Sequence, residues 1–254
     1  LTVLQPDSLS AQMGLTDAIL GLGLREKGMR HYHRGLSLNP DDPFARFKLG
    51  STLLKSGDFD TARLAFIQLI SLRPDHTEGY IGLGASEASL ERADSALRNL
   101  ASALTINPRS GEAFLCKGDA LLKLGDHEGA LQAYEMATAL GVSGSELQAA
   151  KAQCYLSLGH PDDALRCFEH ALALKPESSS TFINRGNLFL ALRKYHRALD
   201  DYDCAERLGG DAITLSINRG NALFGLGRLP EALKSYSRAH DLDAKGIGGA
   251  MGQA

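Results

Sequence analysis

Asn184-Arg185-Gly186-Asn187 recurs in this 254-residue chain as Asn218-Arg219-Gly220-Asn221. Residues three apart on a helix share a face, so each motif presents two carboxamides together. A carboxamide both donates and accepts hydrogen bonds. It can therefore hold the backbone of an extended peptide whatever that peptide's side chains. Each such bond contributes only about 0.5–1.5 kcal/mol net, so a ladder of four amides needs apolar contacts beside it. Ile183, Leu190, Ile217 and Phe224 are the neighbours of the right type. The competing reading leaves the four Asn solvated, or capping contacts between helices.

Patterns for covalent chemistry are missing. The chain has no GxSxG, no HExxH and no phosphate-cradling GxxxxGK[ST]. Gly21-Leu22-Gly23 reads as a helix end, because no strand precedes it as a dinucleotide loop requires. His127, His160 and His196 fall in turns and read as exposed side chains, with a metal or acid–base role as the alternative. His31 and His33 are too close in sequence to share a helix face. Cys116, Cys154, Cys167 and Cys204 have no CxxC pairing and no His at zinc spacing, so they read as reduced, small apolar residues. No catalytic residue, metal or cofactor is expected.

The elements that must position the amides follow from a repeat of about 34 residues. Its marks are Ala62, Ala96, Ala130, Ala164, Ala198 and Ala232. Four positions after each comes a large residue: Phe66, Leu100, Tyr134, Phe168, Tyr202 and Tyr236. Seven units keep one phase: 9–42, 43–76, 77–110, 111–144, 145–178, 179–212 and 213–246. Each reads as two antiparallel helices. In 43–76, Pro43 suits a first helical turn, and Phe47, Leu49, Gly50, Leu53 and Leu54 follow at helical spacing. Gly57 suits a left-handed stop, Asp58 or Asp60 a cap, and Pro74 ends the second helix. Gly50, Gly84, Gly118, Ala152, Gly186 and Gly220 recur midway along the first helices. They predict close approach of the paired helix, with the aromatic filling space toward the next unit. Val142, Gly210 and Ala244 replace the closing proline, which predicts altered junctions there. Residues 1–8 fall where a preceding repeat would end and 247–254 where a further helix or tail would begin. The chain is thus expected to be a segment of a longer array.

This pattern resembles the tetratricopeptide repeat (TPR) family over essentially the whole chain. The resemblance implies an all-α, right-handed superhelical solenoid of stacked antiparallel helix pairs, whose first helices line a concave groove. It implies groove positions Phe44, Phe47, Lys48, Ser51, Leu54 and Lys55 in the second unit. In the fourth they include Glu112, Leu115, Cys116, Asp119, Leu122 and Lys123. In the sixth and seventh they are Ile183, Asn184, Asn187 and Leu190, then Ile217, Asn218, Asn221 and Phe224. A peptide-binding groove is accordingly expected from the amides and apolar residues of the last two units, together with Lys48, Lys55, Asp119 and Lys123. Domains of this family that clamp chaperone carboxylates use Lys and Arg where Ile183 and Ile217 stand here. The groove Asn pattern is similar to the TPR arm of O-linked N-acetylglucosamine transferases, which recruits protein substrates to a separate catalytic domain.

Lys117, Lys151, Arg185 and Arg219 stand where earlier units carry Leu15, Leu49 and Leu83. They read either as a row of cations for an acidic partner or, for Arg185, as a local pair with Asp201. The other three have no acid at the matching position.

Composition narrows the partner. Net charge is −3, with 27 basic and 30 acidic residues interspersed, which argues against nucleic acid. No apolar run approaches the ~20 residues of a membrane span, and Leu1 to Pro6 lack signal-peptide features. Reduced cysteines favour a reducing, cytoplasmic compartment. The expected function is a non-catalytic scaffold binding a protein or peptide in the groove. The alternatives are the substrate-recruiting arm of a protein O-glycosyltransferase, or a homo-oligomer that assembles through exposed repeat ends.

Overall fold

A computed structural model describes residues 9–39 and 41–251. Residues 1–8, expected to end a preceding repeat, lie outside the described residues, as do Pro40 and 252–254. Two compact units divide the chain, Leu1–Val142 and Ser143–Ala254. The first holds four helix pairs: α1 (Leu9–Gly21) with α2 (Arg25–Leu38), α3 (Pro43–Lys55) with α4 (Phe59–Leu72), α5 (Thr77–Ser89) with α6 (Ala93–Ile106), and α7 (Gly111–Leu124) with α8 (His127–Ala139). The second holds three: α9 (Ser145–Ser157) with α10 (Pro161–Leu174), α11 (Ser179–Ala191) with α12 (Tyr195–Arg207), and α13 (Ala212–Gly225) with α14 (Leu229–Met251). Each unit is an all-α solenoid of stacked helix pairs. Residues 247–254 were expected to begin a further helix or tail; α14 extends through Met251.

Local chemistry sets these boundaries. Asp42, Ser110, Ser178 and Asp211 cap α3, α7, α11 and α13, each side chain accepting a backbone N–H three residues on. Asp58, rather than Asp60, caps α4. The turn inside each pair needs a left-handed residue. Gly23, Gly57, Gly125, Gly159 and Gly227 supply it, but Glu91 and Arg193 hold the equivalent positions with φ of 60° and 56°. Side-chain-bearing residues are strained there by roughly 1–2 kcal/mol. Junctions between pairs take two forms. Where proline follows, the helix ends on an extended residue such as Asn107. Where it does not, Gly141 and Gly209 turn the chain with φ of 91° and 75°, and the next amide, of Val142 or Gly210, donates back to Ala137 or Ala205.

The core is the seam of small and bulky residues. Ala62, Ala96, Ala130, Ala164 and Ala198 are fully buried, and so are Tyr134, Tyr202 and Phe168. The mid-helix glycines receive those bulky side chains directly. A Cβ on Gly118, Gly186 or Gly220 would sit 2.4–2.6 Å from a ring carbon of Tyr134, Tyr202 or Tyr236. The aromatic thus lies on the glycine of its own pair. Phe66 also reaches the next pair, packing between Gly50 and Gly82.

First helices of successive pairs touch: α1, α3, α5 and α7 in one unit, α11 and α13 in the other. Among the described residues the second helices make no comparable contact with one another. Within each unit this asymmetry gathers the touching first helices on one face.

Candidate functional site

On α11 and α13 the mid-helix glycine brings a tyrosine across from the second helix, and its hydroxyl reaches the first-helix face that carries Asn187 or Asn221. The Tyr202 hydroxyl donates to Asn187 Oδ1 at 2.8 Å, and the Tyr236 hydroxyl to Asn221 Oδ1 at 2.8 Å. Asn218 Nδ2 donates to the same Asn187 oxygen at 2.9 Å, joining one first helix to the next. Burial raises the Tyr202 pKa, with the Asp201 carboxylate adding to the rise, so this hydroxyl stays protonated as a donor. Asn187 Oδ1 thus accepts two bonds and Asn221 Oδ1 one, and both residues are exposed. Asn184 is exposed on α11.

The apolar neighbours divide. Ile183 and Leu190 are partly buried against the core of Phe189, Tyr202 and Leu215. Ile217 and Phe224 are exposed, Phe224 by 63%, and flank Asn218 and Asn221 on α13. Of the four expected apolar contacts, these two are open to a ligand.

The residues from the first unit lie elsewhere. Lys48 pairs with Asp17 of α1 at 2.8 Å, and Thr52 donates to the same carboxylate, so α1 is tied to α3. Lys55 is exposed in the last turn of α3. Lys123 closes α7 and donates from Nζ to the Ala88 carbonyl at 2.7 Å. Asp119 accepts from the Tyr134 hydroxyl at 2.8 Å, in the same geometry as the two Asn–Tyr pairs.

The row of cations does not form. Arg185 makes a bidentate pair with buried Asp201, at 2.9 and 2.7 Å, and stacks near Phe182 and Phe189. The pair raises the Arg185 pKa through those hydrogen bonds. Arg219 also has acidic partners: it pairs with Asp203 and Glu206 of α12. Those acids sit on the preceding pair's second helix, which a search confined to one repeat passes over. Lys117 lies with Leu97, Ala101 and Leu104 between α6 and α7. Nothing in the structure explains Lys151.

The histidines and cysteines gather no site. Among the described residues no group of three metal-binding side chains comes together. His160 packs edge-on to Tyr155, and His196 is exposed. The four cysteines are free thiols. Burial pushes the Cys154 thiol up to about 11. Among the described residues no helix is long and apolar enough to cross a membrane.

The tyrosine–amide pairs were not anticipated, yet a signal exists. Where the second helix carries Tyr134, Tyr202 or Tyr236, the first-helix position fifteen residues earlier is Asp119, Asn187 or Asn221. Where it carries Phe66, Leu100 or Phe168, that position is Ser51, Ala85 or Gln153. A ring with a hydroxyl coincides with a short acceptor.

Comparison with known proteins agrees with this architecture. Tetratricopeptide repeat models match residues 88–154, residues 145–178, and residues 47–104 with 183–247. No curated protein matches by sequence. Among solved structures, TTC0263, a thermophilic TPR protein of Thermus thermophilus, is 26% identical with a TM-score of 0.60, over 72% of this chain and 99% of that one. YrrB, described as a TPR protein with an unusual peptide-binding site, is 18% identical with a TM-score of 0.59, over 70% and 91%. PilF of Pseudomonas aeruginosa is 18% identical with a TM-score of 0.68, over 80% and 97%. The last two share the fold alone. With the helix pairs, the recurrent glycine–aromatic seam and the three matching repeat models all in agreement, this chain belongs to the tetratricopeptide repeat family.

Proposed function

We propose that the chain is a non-catalytic protein-interaction scaffold that holds an extended peptide on the face formed by α11 and α13. The tetratricopeptide repeats and the TPR relatives support the scaffold role, and one relative is itself described as having a peptide-binding site. The observation that carries the finer reading is the Asn187–Asn218 bond across successive first helices, with Tyr202 and Tyr236 orienting the amides on either side. Exposed Asn184, Asn187 and Asn221, with the remaining capacity of half-buried Asn218, offer hydrogen bonds to peptide carbonyls and amides. Ile217 and Phe224 give the apolar contact that such bonds need for useful affinity.

The test is a selection from a displayed random-peptide library, followed by affinity measurement on the Asn184→Ala/Asn218→Ala double variant. Neither residue holds a tyrosine hydroxyl; Asn218→Ala removes only the exposed bond to Asn187, so melting should fall by no more than about 5 °C. Loss of one hydrogen bond at each position weakens binding by roughly tenfold or more. An unchanged affinity for every selected peptide would remove this face from consideration.

A further inference from the structure

Between α6 and α7 lies a depression holding a cation whose equivalent elsewhere in the chain has acidic partners. Three repeats on, α12 and α13 form the same depression, with Leu199, Leu223, Asp203 and Arg219 in its lining. Arg219 pairs there with Asp203 and Glu206 of α12. The equivalent cation between α6 and α7 is Lys117, with Leu97 and Leu121 in place of Leu199 and Leu223. The two acid positions hold Ala101 and Leu104. Arg185 uses a third position, that of Asp201 on its own pair; the equivalent for Lys117 is Ala133, which is buried. Nor does α7 supply an acid, because the residues three and four away are Ala113, Phe114, Ala120 and Leu121. Among the described residues no carboxylate pairs with Lys117. Packing does not require the charge, since Leu49 and Leu83 occupy the same repeat position and are buried.

The depression measures about 350 Å³. Leu97 packs on the core of Ala96, Leu100 and Ala120, and Leu104 on that of Ala103 and Ala113, so the floor is apolar and fixed. Thr105 donates its hydroxyl to the Ala101 carbonyl. Lys117 is half-buried and carries the one charge in a lining otherwise of Leu, Ala and Thr. A short apolar stem ending in a carboxylate fits both features: its methylenes cover the floor, and its oxygens meet the ammonium. We propose that this depression is a subsite for an aspartate or glutamate side chain of a partner polypeptide, which takes the place at Lys117 that Asp203 and Glu206 take at Arg219. The subsite presupposes the scaffold reading above but uses other helices and other chemistry. It gives the ligand a preference for an acidic residue at one point, whereas the amides hold backbone without regard to sequence.

Two substitutions separate the charge from the fold. Lys117→Leu installs the residue type that Leu49 and Leu83 already place there. Ala101→Asp supplies from within the acid that Asp203 supplies to Arg219, at a position that is exposed. The probes are the peptide acetyl-Gly-Ala-Glu-Ala-Gly-amide, its glutamine and lysine analogues, and hexanoate. They are titrated into the whole chain while the methyl signals of Leu97 and Leu121 are followed by NMR. The glutamate peptide should shift these methyls with a dissociation constant on the order of millimolar. It should bind roughly two- to fivefold tighter than the glutamine analogue, the range of a single partly exposed ion pair. That preference should vanish in both variants and shrink in high salt. Equal binding of the glutamate and glutamine peptides by the parent, a preference that survives in either variant, tighter binding of the lysine peptide, or no methyl shift at tens of millimolar would each overturn the proposal. Hexanoate binding tighter than the glutamate peptide would do so too, because it would assign the depression to a free aliphatic acid. The side-chain NH₂ signals of Asn184 and Asn218 report the amide face separately, so the two readings fail independently.

Discussion

Removing the Asn187 side chain tests the geometry on which the amide face depends. The Tyr202 ring is fully buried, and its hydroxyl ends 2.8 Å from Asn187 Oδ1. Asn187→Ala deletes that acceptor and leaves a hydroxyl inside the protein. A lost bond costs about 0.5–1.5 kcal/mol, and a buried group left without a partner about 1–3. Asn187 itself is exposed, so water can enter the space its amide vacates, which places the expected loss near 1–2 kcal/mol. Tyr202→Phe removes the other partner and frees an exposed amide to water, so it should cost less, about 0.5–1 kcal/mol. In the double variant the bond is already gone, and the two losses should not add. A double-mutant cycle by urea unfolding, followed by far-UV circular dichroism, should therefore give a coupling of about 1 kcal/mol. Asn187→Asp should retain most of the stability, because Asp119 and Tyr134 already form that pair. Additive losses, with coupling indistinguishable from zero, would refute the claim that the tyrosine holds the amide.

Glu91→Gly and Arg193→Gly should each stabilise the chain. Relief of left-handed strain of roughly 1–2 kcal/mol outweighs the roughly 0.5–1 kcal/mol of added glycine freedom, and both variants should raise the urea midpoint. Asp201→Asn breaks the bidentate pair and leaves Arg185 uncompensated, which should cost roughly 3 kcal/mol in the same assay. Asp119→Asn should be more stable than the parent at neutral pH. The folded state binds the Asp119 proton more tightly than the unfolded chain does, so this carboxyl detracts from stability once pH exceeds its folded pKa. The advantage of Asn should therefore shrink as pH falls through that value toward the ordinary 3.8 and below. A pH-independent difference between parent and variant would contradict the assigned cause.

Periodicity alone was enough to read the helix pairs. The spacing of Ala62, Ala96, Ala130, Ala164 and Ala198 marks a buried seam because no single pair can cover its own apolar stripe, and those alanines are buried. Pro43, Asp58 and Gly57 could be assigned to helix start, cap and stop because those roles depend only on local backbone chemistry. Contacts across pairs could not be read that way. Arg219 finds Asp203 and Glu206 on the preceding second helix, and Lys48 finds Asp17 on the preceding first helix. Their sequence separations are set by how pairs stack, not by helical spacing. The apolar residues expected to line a groove needed the same information: Ile183 and Ile217 occupy equivalent repeat positions, yet one packs on the core and the other is exposed. Sequence order dictates which residues share a helix face. Which of those residues remain unsatisfied, and hence open to a partner, depends on neighbours that only packing brings within a few ångströms.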